Sequence, residues 1–513
     1  MNTRKVSLSF VFPILFSCAL ECQTAYVNVD TSGNLMPEEI EYIGKRDRRT
    51  HASIAHLLGL GAIPDNIKLP RIAFIGSGGG FRATTDYIAM LAALQRAGIF
   101  DCGTYAAGLS GGAWAIFPLV LRGLDPVRYS DILRQRLCQS NPGESKNILT
   151  RMAQIFLEKN GKIKFVDTWG AIASERLFGD LARERSITFN DIRATLSQSD
   201  AFPYPICPVI IGQTAPNYEW LEINPFGIYS SCLGGSIPNA AFGNVFEAGH
   251  AAVLNNPELP LEFYIGMVGS AFCLTVGDIA YNGIKGLLDI IQVDQILSST
   301  MGDDAFVRFT SRINKFFDKF GAYQDRLFPA KIPNYSYQMP GSKLKDLQTL
   351  ELFDAGAFIN LPFPTLIRND RAIDIFIVCD ASSDATDRDF TELRYAADWA
   401  RMNGAKFPSL NKFKIVSRDM RIFYEDDITV PYVIYFSNQI DVGTTSLVYT
   451  PEEFDNLFGF MHANVLNGAP AIVDVIRKKL NIVNTFDALP QGVAPSIAWE
   501  SPSEFIKYYC NIL

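Results

Sequence analysis

The sequence predicts an α/β fold, a three-layer sandwich in which helices cover both faces of a largely parallel central sheet. Short apolar runs alternate with helical patterns along the chain. The runs are continuously apolar, as strands are when both faces of a sheet are buried. Of the 513 residues, 48% are hydrophobic and 19% are charged. This is the balance of a globular chain, long enough for one large α/β domain or several ordinary ones.

The first recognisable unit is a strand over residues 71–75 that runs directly into the glycine-rich segment 76–80. A helix is predicted next, because apolar residues recur there at helical spacing. Gly98 should end this helix, since glycine readily adopts the left-handed conformation found after helix C-termini. The apolar face of the helix comprises Tyr87, Met90, Leu91 and Leu94.

Three later segments complete the predicted architecture. Residues 208–211 and 373–379 are predicted strands, because they are short, apolar and rich in β-branched residues. Residues 450–453, Thr-Pro-Glu-Glu, form a capping box with proline at the first helical position, so a helix should begin there and run towards residue 460. The stretch 283–348 is polar and has no strand pattern. It predicts a cap or lid inserted over the sheet, which we place at about 240–348.

The N-terminus carries a targeting pattern. Arg4 and Lys5 precede an apolar run over residues 6–20, which is short for a membrane span but suits the core of a signal peptide. We therefore expect residues 1–22 to be a signal peptide cleaved after Ala19, or a lipoprotein-type leader with Cys18 as its lipid anchor, and the protein to be exported. The alternative is a cytoplasmic protein that associates peripherally with membranes.

Charge and cysteine usage exclude several classes of function. The net charge of −8 provides no positive field for nucleic acid. The nine cysteines are scattered, without a CxxC pair or metal-ligand spacing. We expect no nucleic-acid partner, no metal site and no cofactor, and the sequence leaves the oligomeric state open.

Residues 108–112, Gly-Leu-Ser-Gly-Gly, match the G-x-S-x-G pattern of a serine nucleophile, here Ser110. Small flanking residues are needed because such a serine lies on a tight turn between a strand and a helix. The helix expected after it, from Ala113 to Leu121, would direct the positive end of its dipole at an oxyanion. On its own the pattern also fits an ordinary glycine-rich turn.

The glycines of segment 76–80 have two interpretations. Consecutive backbone N–H groups between a strand and a helix can bind a developing oxyanion. Gly78-x-Gly80-x-x-Ala83 also fits the dinucleotide fingerprint, with Asp101 at a suitable distance for a ribose hydroxyl. The second interpretation predicts a dinucleotide-binding protein and leaves the serine turn unexplained.

No histidine is an obvious base for this serine. The chain has four histidines, and none follows a recognisable strand: His51, His56, His250 and His462. If the site is an esterase site, we expect its base to be a carboxylate.

Seven motifs together resemble the catalytic domain of the cytosolic phospholipase A2 family. They occur in the same order as in that family, from about residue 40 to 480, which is far more specific than any one of them. By this resemblance residues 36–513 form a single catalytic domain with the patatin-like fold. The motifs are SGGGFRA at 77–83, AGLSG at 107–111, YEWLEINP at 218–225, GSAF at 269–272, DAGAFINLPFP at 354–364, WARMN at 399–403 and MHANVLN at 461–467.

The resemblance implies a serine–aspartate dyad that works without histidine. An aspartate that takes a proton directly from serine must have its pKa raised by burial. Two glycines would form the oxyanion hole, and two arginines would bind the substrate phosphate, which a guanidinium recognises bidentately. The implied residues are Ser110 as nucleophile, Asp354 as base, Gly79 and Gly80 as oxyanion hole, and Arg82 and Arg371 as phosphate ligands.

The family's mammalian members also carry an N-terminal calcium-dependent C2 domain. The residues before 36 leave no room for one, so we expect calcium-independent activity. The sequence therefore predicts a phospholipase A2 or lysophospholipase that acts on phospholipid membranes or micelles through an acyl-serine intermediate. Two alternatives remain open at this point, a catalytically inactive lipid-binding relative and the dinucleotide-binding protein.

Overall fold

The structure is a computed structural model that describes residues 27–270, 329–482 and 491–492, apart from short internal gaps. The predicted leader, residues 1–22, and the middle of the predicted cap, residues 271–328, lie outside the described residues. The gaps are residues 62, 65–66, 140–143, 160–163, 180, 182–185, 216, 252–256, 384, 386–389, 441 and 445.

Helices and strands alternate along the described chain. The helices are α1 (Pro37–Leu57), α2 (Gly80–Arg96), α3 (Gly111–Arg122), α4 (Pro126–Cys138), α5 (Glu144–Glu158), α6 (Phe165–Leu177), α7 (Phe189–Gln198), α8 (Leu261–Val268), α9 (Phe363–Leu366), α10 (Thr391–Met402) and α11 (Pro451–Lys479). The strands are β1 (Val27–Asn28), β2 (Ile72–Gly76), β3 (Gly103–Gly108), β4 (Tyr204–Ile211), β5 (Glu219–Ile223), β6 (Gly227–Ser230), β7 (Gly235–Pro238), β8 (His250–Ala251), β9 (Ala330–Pro333), β10 (Thr349–Asp354), β11 (Ile375–Asp380), β12 (Phe413–Ile415), β13 (Met420–Phe423), β14 (Tyr432–Ser437) and β15 (Gln491–Gly492).

One mixed sheet of 13 strands organises the described residues. Its central strands lie in the order β14-β11-β2-β3-β4, and every pairing among them is parallel. Antiparallel strands extend both margins, with β13, β12 and β15 beyond β14, and β5, β6 and β7 beyond β4. The predicted α/β class with a parallel centre is confirmed.

Helices cover both faces of this sheet. β2, β3 and β4 are neighbours in chain order, so right-handed crossovers place α2 and α3 on one face. There α2 packs against both α3 and α11. From β2 to β4 the chain moves across the sheet in one direction, and from β11 to β14 it moves in the other. A right-handed crossover therefore places α10, which lies between β11 and β14 in the sequence, on the other face. The parallel strands are therefore buried on both sides, as their continuous apolar runs predict.

Local sequence signals set several element boundaries. The capping box is present, since Thr450 Oγ1 accepts from the Glu453 N–H at 3.1 Å and a Glu453 carboxylate oxygen accepts from the Thr450 N–H at 2.7 Å. The helix α11 that begins there continues to Lys479, well beyond the predicted residue 460. At the C-terminus of α2, Gly98 follows the capping residue Ala97 and has φ 73°, in agreement with the predicted helix end.

The structure differs from two of the predicted boundaries. The folded domain begins before residue 36, because β1 pairs with β8 and Asp30 bridges to Ser236. The described ends of the predicted cap belong to the body of the domain. There α8 is buried and packs against α6, and β9 pairs with β10 in the main sheet.

Candidate active site

Ser110 occupies the tight turn between β3 and α3. Its backbone has φ 50° and ψ −115°, a strained conformation for a residue that carries a side chain. The turn is possible because its neighbours lack side chains. A Cβ on Gly111 would lie 2.1 Å from the carbonyl oxygen of Gly80, and a Cβ on Gly108 would lie 2.3 Å from the backbone of Gly112. The predicted strand–serine–helix arrangement is present.

The glycine-rich loop between β2 and α2 packs directly on this turn. Gly112 donates its N–H to the Ser77 carbonyl at 3.1 Å. Gly79 and Gly80 have φ 135° and 60°, the region that favours glycine. Neither of their N–H groups donates a hydrogen bond to any residue that the structure describes. Both amides are therefore available to an oxyanion beside Ser110.

Strand pairing brings Asp354 to the same place. Along one side of β4, Ala107 of β3 faces Ile206, and farther along that side Asp354 of β10 faces Val209. β3 and β10 run in opposite directions, so their C-terminal ends approach each other across three residues of β4, about 10 Å. Ser110 follows the first of these ends, and Asp354 is the second.

The Asp354 side chain is fully buried at the end of β10. Its backbone N–H donates to Ser270 Oγ at 3.0 Å, and its Oδ1 accepts from the Gly356 N–H at 2.8 Å. A Cβ on Gly356 would lie 3.3 Å from Cδ2 of Leu109, the residue before the serine. No hydrogen bond joins the described Ser110 hydroxyl to Asp354, and catalytic hydrogen bonds often form only when substrate is bound.

Arg82 supports the glycine loop from the first turn of α2. The side chain is buried, its Nε donates to the Ala381 carbonyl at 2.9 Å and its Nη1 donates to the Val442 carbonyl at 2.8 Å. Its Nη2 lies beside the loop, 3.1 Å from the position of a Cβ on Gly79. The guanidinium is thus adjacent to the site, with two of its nitrogens bonded to backbone carbonyls.

Arg371 lies at the opposite edge of the sheet. It precedes β11, and its carbonyl accepts from the side chain of Arg71, which precedes β2. Gly79 and Ser110 instead follow the C-terminal ends of the parallel strands. The length of β2 separates the two edges by about 15–20 Å. The position of Arg371 therefore does not favour a role in binding the substrate phosphate.

Arg371 is the centre of a buried ion-pair network instead. Its Nε lies 2.8 Å from Glu39, and its Nη2 lies 2.6 Å from Glu222. The remaining N–H groups are also donated, to the same two carboxylates and to the Thr365 carbonyl. No donor of the guanidinium is left for a ligand. The family motif marked an arginine that has a structural role in this chain.

Asp101 does not occupy the position of a ribose-binding acid. It lies before β3, with a carboxylate oxygen 3.7 Å from Arg49. In a dinucleotide-binding fold this acid follows a strand, on the same edge as the glycine loop. Since Asp101 and Gly79 lie at opposite edges, the dinucleotide interpretation is not favoured.

Asp86, one turn beyond Arg82, is a buried acid that the sequence analysis missed. Both of its carboxyl oxygens are buried without a hydrogen-bond partner among the described residues. Burial raises the pKa of Asp86 well above its ordinary value, and the nearby Arg82 opposes the rise. A polar residue in an otherwise apolar helical pattern gives no sequence signal that it is buried.

The histidines lie in other surroundings. The His462 ring stacks on Phe458 in α11, and burial lowers its pKa. His250 Nδ1 lies 2.7 Å from Asn28 Oδ1 where β1 meets β8. The other two are on α1.

The fold and the site define a class of protein. The sequence model of the lysophospholipase catalytic domain matches residues 72–134 and 146–424, and the chain belongs to this family. The predicted resemblance is confirmed.

Individual relatives are more distant. The chain is 25% identical over 543 residues to cytosolic phospholipase A2 zeta of Mus musculus, covering 87% of this chain and 62% of that protein. It is 23% identical over 557 residues to cytosolic phospholipase A2 zeta of Homo sapiens, covering 91% and 64%. The chain therefore spans less than two thirds of either relative.

Solved structures confirm the fold. Human GIVD cytosolic phospholipase A2 superposes with a TM-score of 0.71 at 20% identity, covering 89% of this chain and 68% of that one. Its complex with methyl gamma-linolenyl fluorophosphonate gives a TM-score of 0.66, also at 20% identity, covering 90% and 66%. In the part of this chain that the structure describes, no helix is both long and apolar enough to cross a membrane.

Proposed function

We propose that the protein hydrolyses the fatty acyl esters of glycerophospholipids, lysophospholipids or both, with Ser110 as nucleophile and Asp354 as base. One observation carries the proposal: a strained serine, a buried aspartate and two amides that donate to none of the described residues lie at one edge of the sheet. Membership of the lysophospholipase family supports lipid acyl esters as the substrate class.

The proposed reaction has two steps. Ser110 Oγ attacks the acyl carbonyl while its proton passes to Asp354, and the N–H groups of Gly79 and Gly80 bind the oxyanion. The ester C–O bond then breaks, and the leaving alkoxide takes the proton from Asp354. Water attacks the acyl-serine in the same way, releasing the fatty acid and restoring the serine.

A covalent probe tests this proposal. Methyl gamma-linolenyl fluorophosphonate is bound in a structure of human GIVD cytosolic phospholipase A2. It should modify Ser110 and stop fatty acid release from phosphatidylcholine and lysophosphatidylcholine. Ser110→Ala should prevent labelling and hydrolysis. Asp354→Asn should remove nearly all hydrolysis, and the double variant should be little worse, because the two residues act as one unit.

His462→Ala is the matched control. It should retain hydrolysis within about tenfold, whereas a loss as large as that of Ser110→Ala would contradict a histidine-free dyad. Lipid binding without labelling or hydrolysis would identify the chain as an inactive lipid-binding relative. A carboxylate base needs no metal, so the proposal includes calcium independence, and hydrolysis should be equal with and without a chelator.

The site of action is part of the same proposal. The predicted leader lies outside the described residues, so export stays a prediction. Both relatives are named cytosolic phospholipases, which favours the cytoplasmic alternative with peripheral membrane association. Fractionation of cells that express the full chain distinguishes the two locations.

A further inference from the structure

The peptide unit that joins Gly78 to Gly79 carries the first amide of the proposed oxyanion hole. In a trans peptide the C=O and N–H groups point in opposite directions. Whatever holds the Gly78 carbonyl therefore also fixes the direction of the Gly79 N–H. That carbonyl accepts two hydrogen bonds, from Ser77 Oγ at 3.0 Å and from Asn360 Nδ2 at 3.3 Å.

Asn360 forms hydrogen bonds with both backbone polar groups of Gly78, the carbonyl and the N–H. Besides the side-chain bond, the Asn360 carbonyl accepts from the Gly78 N–H at 3.2 Å. The Asn360 Oδ1 fills the space between the loop and the Asp354 turn, where a Cβ on Gly78 would lie 2.2 Å away and a Cβ on Gly356 2.8 Å away. The Asn360 N–H donates to Glu392 Oε2 at 2.6 Å. Its backbone and side chain are thus held in place.

A chain of buried hydrogen bonds sets the orientation of the Asn360 amide. Asn360 Nδ2 also donates to Ser382 Oγ at 2.7 Å, and the Ser382 hydroxyl donates to Asp380 Oδ1 at 2.5 Å. Tyr435 donates to Asp380 Oδ2 at 2.6 Å. Because the serine proton goes to the carboxylate, Ser382 can only accept from Asn360. One hydrogen of Nδ2 therefore points to Ser382, and the other is left for Gly78.

We propose that Asn360 is a positioning residue that aims the Gly79 N–H at the developing oxyanion. It acts through the Gly78 peptide and does not itself touch the reacting atoms. Donation to the Gly78 carbonyl also polarises the peptide, which strengthens the N–H on its far side as a donor. This inference rests on the proposed function and adds the residue that sets the geometry of its oxyanion hole.

Asn360→Ala tests the inference by separating oxyanion binding from lipid binding. Removal of one oxyanion-hole donor lowers kcat by roughly 10²- to 10³-fold, so loss of its alignment should lower kcat by about 10- to 100-fold. A fatty acyl trifluoromethyl ketone forms an oxyanion with the serine, whereas the corresponding alcohol does not. The variant should bind the ketone more weakly by the same factor as kcat falls, and bind the alcohol within about threefold of the wild type.

Asn334→Ala is the matched control. Asn334 is also buried, and its Nδ2 donates to two backbone carbonyls, those of Leu344 and Leu347. It lies in the turn after β9, away from the oxyanion loop. This control makes the same chemical change and should alter thermal stability without a selective loss of ketone affinity.

The outcomes are distinct. Unchanged kcat in Asn360→Ala, or equal weakening of ketone and alcohol, would overturn the positioning role. If Asn360→Ala does not fold, Ser382→Ala removes only the outer partner and should lower kcat and ketone affinity together by about three- to tenfold, the effect of one hydrogen bond. Wild-type protein that is neither labelled at Ser110 nor active would refute the proposed function itself, whereas failure of the variants alone refutes only this inference.

Discussion

At the scale of the residue, we propose two roles for Arg82 that different substrates can separate. Its guanidinium supports the glycine loop through the Ala381 and Val442 carbonyls, and we propose that it also binds phosphate. Arg82→Lys keeps the charge but loses the planar fork. We expect about a tenfold lower kcat/KM on a nitrophenyl acyl ester, the effect of one lost charged hydrogen bond, and a larger loss on phosphatidylcholine.

The comparison of the two substrates decides between these roles. An unchanged rate on the nitrophenyl ester would show that the loop does not need the arginine. Equal losses on both substrates would show that Arg82 does not bind phosphate.

Asp86 makes stability depend on pH in an unusual direction. Its folded pKa is raised by burial, so folding takes up a proton and stability falls as pH rises above the unfolded value of about 3.9. Asp86→Asn cannot ionise. It should therefore be more stable than the wild type at pH 8, by about 1.4 kcal/mol for each pH unit by which burial raises the folded pKa.

Urea unfolding at pH 4, 6 and 8 checks this expectation. The stability difference between Asp86→Asn and wild type should grow with pH. A difference that is constant, or that shrinks as pH rises, would contradict the raised pKa.

The sequence predicts those residues of the site whose roles depend on local chain geometry. The strand–turn–helix around Ser110 was predictable because it needs small residues at fixed spacing, whereas the role of Ser110 came from the family resemblance. The surroundings of Arg371 were not predictable. They depend on the end of the strand that it adjoins and on two carboxylates that are distant in the sequence. Asn360 lies in one of the seven motifs. Its proposed positioning role could not be predicted, because it depends on how that motif packs against the glycine loop.

At the scale of the element, the helix α1 is fixed to the sheet by a buried ion pair. Glu39 on α1 accepts hydrogen bonds from Arg371 and from the hydroxyl of Tyr105 in β3. Glu39→Gln removes one of the two buried carboxylates that pair with Arg371, and it weakens the hydrogen bonds that Arg371 and Tyr105 donate to it. We expect a loss of about 1.5–3 kcal/mol in the free energy of unfolding, the scale of hydrogen bonds to a charged group.

Glu41→Gln, two residues further along α1, is the matched control for urea unfolding. Glu41 pairs with Lys45 at 2.6 Å, but both side chains are exposed, so the substitution should leave the free energy of unfolding almost unchanged. Equal effects of the two substitutions would contradict a structural role for the buried pair.

Helix starts were more predictable than helix ends. Four adjacent residues, the capping box, determine where α11 begins. Its length to Lys479 depends instead on packing against α2 and β14. The antiparallel margins of the sheet were missed for a related reason. A short apolar strand has the same composition whichever direction its neighbour runs, and only tertiary pairing sets the direction.

At the scale of the whole molecule, the fold extends nearly to the predicted leader. Because we predict that residues 1–22 are a leader, their deletion should leave thermal stability and hydrolysis unchanged. Deletion of residues 1–30 should lower the melting temperature, since it removes the pairing of β1 with β8 and the bridge from Asp30 to Ser236. Differential scanning fluorimetry of both truncations checks this. Equal melting temperatures for the two would contradict a structural role for β1.

The end-to-end approach of β3 and β10 along β4 has a consequence for biosynthesis. The proposed nucleophile and base are separated by 244 residues, which a ribosome takes about 10–50 s to add. During that interval the nascent chain has the serine but lacks both the base and Asn360, which holds the glycine loop. The proposed acyl transfer is therefore withheld until β10 inserts beside β4, so a truncated or stalled chain would have the serine without esterase activity.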